Sequence, residues 1–155
     1  MDGLGTVQMA APMKQYRDAM KEMVASDLVD IMLMSLSSAE ALVQEGIFEN
    51  SNITPAVRLN DATDIWGYRG ASYREKPSIA FNTAKIESAL KYSRLGLYSI
   101  TFYNDLDKDL KNLNAYTQFR ESISDTEMDH FLEVFNPAFT INTGDADIGL
   151  SLIHI

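Results

Sequence analysis

The sequence predicts an α/β protein built on a parallel β-sheet. Helix-like and strand-like segments alternate four times along the 155 residues, and such alternation is typical of βαβ units. The strand-like segments are nearly continuous apolar runs, as expected of parallel strands that are buried on both faces. The segments between them carry apolar residues at helical spacing. Two architectures remain open at this point, an open doubly wound sheet and a (β/α)8 barrel.

The first half of the chain contains two helix–strand pairs. A helix is predicted over residues 13–24, after Pro12 at a favourable first helical position, and the apolar run 28–34 predicts a buried strand. Ser37 and Glu40 form a capping-box pattern that opens a second helix, and Gly46 ends it. Residues 53–59 are the next strand candidate, although Pro55 cannot donate to a central ladder.

The second half begins with a long polar segment, residues 60–82, whose aromatic content argues against disorder and whose length is typical of a functional connection. A third helix is predicted over residues 83–94. Residues 97–103 are rich in β-branched and aromatic residues, which favours a strand. An amphipathic helix follows over residues 105–122, with acidic residues at its start that suit the helix dipole, and residues 130–135 form the last predicted strand.

The pattern favours a partial (β/α)8 barrel over a dinucleotide-binding sheet. No glycine-rich phosphate fingerprint follows any predicted strand. Four strands suit roughly strands two to five of a barrel, together with the end of strand one, in one domain over residues 1–149. The final six residues, 150–155, match the translation of a common sequencing adapter. We therefore expect them to be an artefact and the natural sequence to be truncated at its carboxyl end.

Composition excludes several classes of function. The net charge is −9 and no basic stripe is visible, so we expect neither nucleic acid nor a membrane surface as a partner. Cysteine is absent, which excludes a disulfide framework and a thiolate zinc site and fits a cytoplasmic location. No Cys/His cluster predicts a metal site, and we expect no cofactor.

Candidate site residues follow the predicted strands, because catalytic groups in a barrel collect at the carboxyl ends of its strands. Asp2 and Glu133 are the catalytic candidates. The substrate-binding candidates are Arg58, Asn60, Asp61, Asn104 and Asn136.

Each candidate also has a structural interpretation. Glu133 has apolar neighbours on both sides; burial there would favour the protonated carboxyl and suit proton transfer, but the residue could equally pair with Arg58. That arginine could bind an anionic substrate group or simply pair with an acidic neighbour. The asparagines and Asp61 could be helix caps, and Asp2 could be a frayed terminal residue.

Residues 97–105 and 131–135 resemble strands four and five of the class I tagatose-bisphosphate aldolases, members of the deoxyribose-phosphate and tagatose-bisphosphate aldolase superfamily. The shared features are an aromatic strand that ends in Asp, a helix with an acidic start, and a Phe-Leu-Glu strand. Residues 1–3 resemble the Asp-containing exit of the first strand in that family. The resemblance implies a (β/α)8 barrel lyase that acts on a sugar phosphate through a lysine Schiff base on strand six. It also implies proton-transfer and positioning roles for Asp2 and Glu133.

The chain departs from the family in two places. Family members carry a substrate-holding lysine on strand four, where this chain has Tyr98 and Ser99, and no lysine here matches the strand-six nucleophile. We therefore expect a fragment of an aldolase-like enzyme that is inactive by itself. The alternative is a non-catalytic barrel relative that binds a sugar phosphate. Homo-oligomerisation is compatible with either.

Overall fold

The computed structural model describes residues 13–62, 80–103 and 105–135. Within these ranges, no helix combines the length and the apolar character that a membrane crossing requires. In chain order the elements are α1 (Met13–Ser26), β1 (Ile31–Met34), α2 (Leu36–Gln44), β2 (Thr54–Arg58), β3 (Asn60–Ala62), β4 (Ala80–Asn82), α3 (Ile86–Ala89), β5 (Leu95–Thr101), α4 (Leu106–Ile123) and β6 (Asp129–Phe135).

Four of the strands form one parallel sheet in the order β1-β2-β5-β6. Apart from the small β3–β4 pair, this order follows the sequence, so each new strand is added beside the previous one. The longest pairing joins β5 to β6 from Leu95↔Asp129 to Thr101↔Phe135. The predicted parallel sheet is therefore confirmed.

The four described helices contribute side chains to one face of this sheet. Met34 of β1 and Val57 of β2 share a buried cluster with Met20 of α1, Leu42 of α2 and Ala89 of α3. Register partners in a parallel sheet point to the same face, and Val57 is the partner of Gly96. The face that carries Gly96 therefore also carries the next two alternate residues of β5, which pack against α4.

An aromatic cluster holds α4 on that face. Tyr98 stacks on Phe119 with ring centroids 4.4 Å apart and lies 5.3 Å from the ring of Tyr116. Ile100 joins the same buried cluster. The Tyr116 hydroxyl lies 2.8 Å from Nε2 of His130 on β6, so the polar tip of a buried aromatic side chain is satisfied by the neighbouring strand.

This one-sided arrangement differs from a doubly wound sheet, in which helices cover both faces. The one-sided arrangement follows from the strand order. Each crossover connection between parallel strands is right-handed, and each adds its strand on the same side of the previous one, so the helices of the connections all lie on the same face. The second face is left to alternate residues of the strands, among them Ala56, Leu97 and Phe131. We call it the inner face. The predicted α/β class is confirmed, whereas closure into a barrel remains a prediction.

Three local expectations needed correction. The second helix begins at Leu36, one residue before the predicted cap, because Ser35 is the N-cap and its side chain accepts from the backbone N–H of Ser38. The third helix is only Ile86–Ala89 instead of residues 83–94. The two ends of the long polar segment pair as the antiparallel strands β3 and β4; residues 63–79 between them lie outside the described ranges.

Close packing against Gly96 predicts a coupled effect on stability. A Cβ at this position would lie 2.3 Å from Cδ1 of Leu59, so Gly96→Ala should destabilise the protein by about 1–3 kcal/mol through overpacking. Leu59→Ala should cost about 2–5 kcal/mol through the cavity that it leaves. Because the second change removes the clash, the double variant should be clearly more stable than the sum of the two losses predicts. Urea unfolding of the four chains measures this coupling.

Gly46→Ala is the matched control, because Gly46 has a φ of +75° and its cost should come from backbone strain. Leu59→Ala should give no relief there. Full additivity of Gly96→Ala with Leu59→Ala would contradict the packing interpretation.

The partly buried imidazole of His130 predicts a pH dependence of stability. Burial, with a smaller effect from the charge of Arg120, lowers the pKa of His130 from its ordinary value, while Asp129 acts weakly in the opposite sense. The unfolded chain therefore binds this proton first as pH falls below about 6.5. Stability should be intact above that pH and should decline as the pH falls below it. His130→Gln should flatten this decline in thermal melts, and an unchanged slope would contradict the assignment.

Candidate functional site

A group of polar side chains lies at the carboxyl end of the sheet on its inner face. Arg58 ends β2, Ser99 lies in the second half of β5, and Glu133 is the register partner of Ser99 on β6. Asn60 and Asp61 follow β2 after Leu59 and begin β3. These five residues are called the carboxyl-edge cluster. Alternation along the strands places its three members in the four-stranded sheet, Arg58, Ser99 and Glu133, on the face opposite the helices.

Ser99 is the centre of the carboxyl-edge cluster. Its hydroxyl donates to Oε2 of Glu133 at 2.8 Å and accepts a long bond, 3.4 Å, from Nη1 of Arg58. The guanidinium also lies 3.9 Å from Oε2 of Glu133 and, through Nε, 3.9 Å from Oδ2 of Asp61. The hydroxyl therefore bridges a cation and a carboxylate whose direct separation exceeds hydrogen-bonding distance.

Asn60 fixes the backbone on which this bridge depends. Its side-chain Nδ2 donates to the carbonyl of Ser99 at 2.8 Å, and its Oδ1 accepts from the N–H of Ser99 at 2.7 Å. The main chain leaves the sheet after the N–H of Leu59 has bonded to the carbonyl of Leu97. The side-chain amide of Asn60 thus makes the two hydrogen bonds to Ser99 that a further backbone residue of β2 would make in the β2–β5 ladder.

The predicted substrate-binding residues differ in accessibility. Asn60 is 1% exposed and its amide is engaged with the backbone, so the contacts favour a structural role. The side chain of Arg58 is 30% exposed and that of Asp61 is 21% exposed. These two residues can be reached from the solvent while staying close to each other.

Glu133 lies in a more open setting than its apolar neighbours suggested. Its side chain is 37% exposed, so the expected burial is incomplete. The structure brings it to Arg58, as one of the two sequence interpretations expected, but the contact is loose and leaves one carboxylate oxygen bonded to the hydroxyl of Ser99. A carboxylate held in this way can still accept a proton from a ligand hydroxyl.

The remaining predicted site residues, Asp2, Asn104 and Asn136, lie outside the described residues, and their roles stay predictions. Among the residues that the structure describes, no group of three or more His, Cys, Asp or Glu side chains could hold a metal ion. The described lysines lie within helices or beside them and not in the carboxyl-edge cluster; they are Lys14, Lys21, Lys85, Lys91, Lys108 and Lys111.

Sequence reasoning did not single out two residues that shape this site. Ser99 was noted only as the residue that stands where a lysine was expected. The alternation of Leu97, Ser99 and Thr101 along the strand could have marked it as an inner-face hydroxyl. Thr83 was also missed: its hydroxyl donates to the carbonyl of Arg58 at 2.8 Å. No local pattern in the sequence indicates that contact, because 25 residues separate the pair.

The backbone contacts of Asn60 predict a large stability loss on truncation. Asn60→Ala leaves the part-buried N–H and carbonyl of Ser99 without their partner, at up to about 1–3 kcal/mol for each unpaired group. Asn112→Ala is a matched control, because Asn112 makes a single bond, 2.8 Å, to the carbonyl of Thr101. Chemical denaturation should show a clearly larger loss for Asn60→Ala. Equal losses would contradict the ladder role of Asn60.

Comparison of the chain with protein-family models, with curated proteins and with solved structures finds no match.

Proposed function

We propose that the chain forms part of a (β/α)8 barrel related in chemistry to the class I aldolases, and that the carboxyl-edge cluster binds a small hydroxylated anion such as a sugar phosphate. The observation that carries this proposal is the convergence of Arg58, Ser99 and Glu133 at the carboxyl ends of three adjacent parallel strands. A cation, a hydroxyl and a carboxylate within one short span provide recognition for both a phosphate and a sugar hydroxyl.

The arrangement of helices and strands supports the barrel. In a (β/α)8 barrel the strands follow one another in sequence order, all helices lie outside, and the strand faces away from the helices enclose the interior. The described sheet has the same strand order and the same one-sided helices. In that architecture the carboxyl-edge cluster lies at the mouth of the barrel, where barrel enzymes carry their active sites.

Each side chain has a distinct part in the proposed reaction. Arg58 pairs with the phosphate through its planar guanidinium. Glu133 accepts the proton of the substrate hydroxyl as the adjacent carbon–carbon bond breaks, and Ser99 holds the carboxylate in position. The electrons of the broken bond pass to the protonated imine that a lysine forms with the substrate ketone, with loss of one water. That lysine must come from outside the described residues.

The second candidate is a binding protein that keeps the site and lacks the nucleophile. The positions of the described lysines, all on or beside helices, favour this alternative for the chain by itself. Both candidates require the same anion contact and differ only in the covalent step.

Binding of dihydroxyacetone phosphate to the full chain tests the shared part of the proposal. Arg58→Gln should weaken binding by about 10- to 100-fold, because a charge-assisted contact is worth about 1.5–3 kcal/mol. Isothermal titration or phosphorus NMR measures the change. Arg94→Gln is the matched control, since Arg94 lies just before β5, at the amino end of the sheet, and pairs with Glu127 at 2.9 Å. Equal weakening by both variants would refute a specific site at Arg58.

Borohydride reduction in the presence of the same ligand separates the two candidates. A Schiff base is reduced to a stable secondary amine, which adds the mass of the ligand less one oxygen atom to one lysine, because imine formation loses water and reduction adds two hydrogens. Peptide mass spectrometry locates the modified lysine. An adduct that Arg58→Gln suppresses supports the aldolase chemistry. Binding without an adduct supports the non-catalytic alternative.

A further inference from the structure

Apolar side chains are exposed along both outer edges of the four-stranded sheet. On the β1 side, Ile31 is 46% exposed, and on the β6 side Val134 is 39% exposed. Each edge also presents backbone groups. Successive residues of a strand direct their backbone N–H and carbonyl groups to opposite sides. The carbonyl of Asp30 accepts from the N–H of Thr54 on β2, so the backbone groups of the next residue, Ile31, point away from β2. On β6 the N–H of Asp129 donates to the carbonyl of Arg94, beside β5. Val134 lies an odd number of residues further along the strand, so its backbone groups point away from β5.

The helix beside the β6 edge has an apolar flank that faces away from the rest of the molecule. Ala115, Gln118 and Ser122 of α4 line a groove together with residues of α3, and Tyr116 faces the sheet. By helical spacing, the side of α4 opposite this groove faces outward, past the β6 edge of the sheet. This flank, called the α4 flank, is exposed and consists of Leu106, Leu110 and Leu113.

The helix beside the β1 edge has a matching flank. Arg17 of α1 donates through Nη2 to the carbonyl of Ser37 at 3.2 Å, and Lys21 pairs with Glu45 at 2.5 Å, so this side of α1 faces α2. Met20 points to the sheet. Exposed apolar residues next to Met20, on the side away from α2, form what we call the α1 flank: Met13, Tyr16 and Met23.

We infer that two copies of this chain associate about a two-fold axis, with the β6 edge and α4 flank of each copy against the β1 edge and α1 flank of the other, to close an eight-stranded barrel. The axis of rotation coincides with the barrel axis, so all eight strands run in the same direction. Each contact joins two different surfaces, and such heterologous contacts close into a ring when the rotation is a half turn. The inference rests on the proposed barrel architecture and fits the second candidate of the proposed function, because β1 of the second copy, which carries no lysine, takes the position of strand six.

The four strands that the described residues contribute to this sheet, in sequence order, make half of the eight that close a (β/α)8 barrel. The helix that precedes β1 also matters for the fit. In a complete barrel a helix lies outside between each pair of neighbouring strands. The described chain has α1 before β1, and β6 has no helix on its outer side among the described residues. In the dimer, α1 of the second copy covers that position and shields Val134.

The exposed apolar area is sufficient for a stable pair. Nine large apolar residues on the two edges and flanks are between 39% and 83% exposed. If a fully exposed large side chain presents roughly 150–200 Å², they offer roughly 700–900 Å² on each copy. A specific interface buries about 800 Å² on each partner. The nine residues are Met13, Tyr16, Met23, Ile31, Leu106, Leu110, Leu113, Val134 and Phe135.

Closure would also change the site. Glu133 lies on β6, an outer strand of the described sheet, and the dimer would bring the carboxyl end of β1 of the second copy next to it. The two carboxyl-edge clusters then face one another across a single mouth. A ligand bound there would contact both copies.

Analytical ultracentrifugation of the full chain over a wide concentration range tests the inference. We expect a species with twice the mass of one chain. Leu110→Glu on the α4 flank and Tyr16→Lys on the α1 flank should each raise the dimer dissociation constant at least tenfold. Gln118→Glu is the matched control, because Gln118 is exposed on the opposite side of α4, and it should leave the constant unchanged. Circular dichroism melts verify that each variant folds.

Mixing the two variants provides the sharper test. In the heterodimer one contact is unaltered and the other joins the new glutamate to the new lysine, so an equimolar mixture should dimerise where each variant alone does not. A monomer at every concentration, a ladder of larger oligomers, or no rescue on mixing would overturn the inference. The readout is mass alone, so its failure cannot be confused with a failure of ligand binding or borohydride trapping.

Discussion

The pairing of the Asn60 side chain with the backbone of Ser99 is the interaction on which the carboxyl-edge cluster depends. Side chains alternate between the two faces of a strand, so a one-residue slip between β2 and β5 would move Arg58 to the helix-covered face. The strand ladder itself is short here, with three register pairs between β2 and β5. The two amide bonds of Asn60 extend it by one step. They thereby hold Arg58 and Ser99 on the same face.

The packing of the four described helices on one face of the sheet has a second consequence. The helices bury Met34, Val57 and Tyr98 on one face, while the other face keeps polar groups near its carboxyl end. A doubly wound sheet would cover both faces and confine polar side chains to the edge between helices. In this chain Arg58 lies on the face opposite the described helices, where its side chain is 30% exposed.

The strand order also bears on the two outer edges of the sheet. Strands β1 and β6 have exposed apolar residues, and the proposed closure of the sheet into a barrel would remove both edges. The α1 and α4 flanks follow the same logic at the level of helices. Exposed apolar residues that cluster on two facing boundaries indicate a contact surface more strongly than the same residues scattered singly.

The sequence by itself determined the order of elements and the parallel class of the sheet. Continuous apolar runs and helical spacing are local signals, and they located β1, β2, β5, β6, α1, α2 and α4 to within a few residues of their observed bounds. The shorter α3 and the β3–β4 pair were not predicted, since tertiary context overrides weak local preference. Candidate residues Arg58 and Glu133 were also found from sequence, because polar groups at strand ends stand out against apolar runs.

Tertiary structure alone decided how those residues meet. Ser99 became the centre of the site and Asn60 its backbone support through contacts between residues 34 and 39 positions apart, and no spacing rule connects positions at such distances. The placement of all four helices on one face also depends on strand order, which local patterns do not specify. The local pattern of apolar and polar residues determines whether a segment forms a helix or a strand. The packing of distant segments sets strand register and strand order, and these determine which side chains share a face of the sheet.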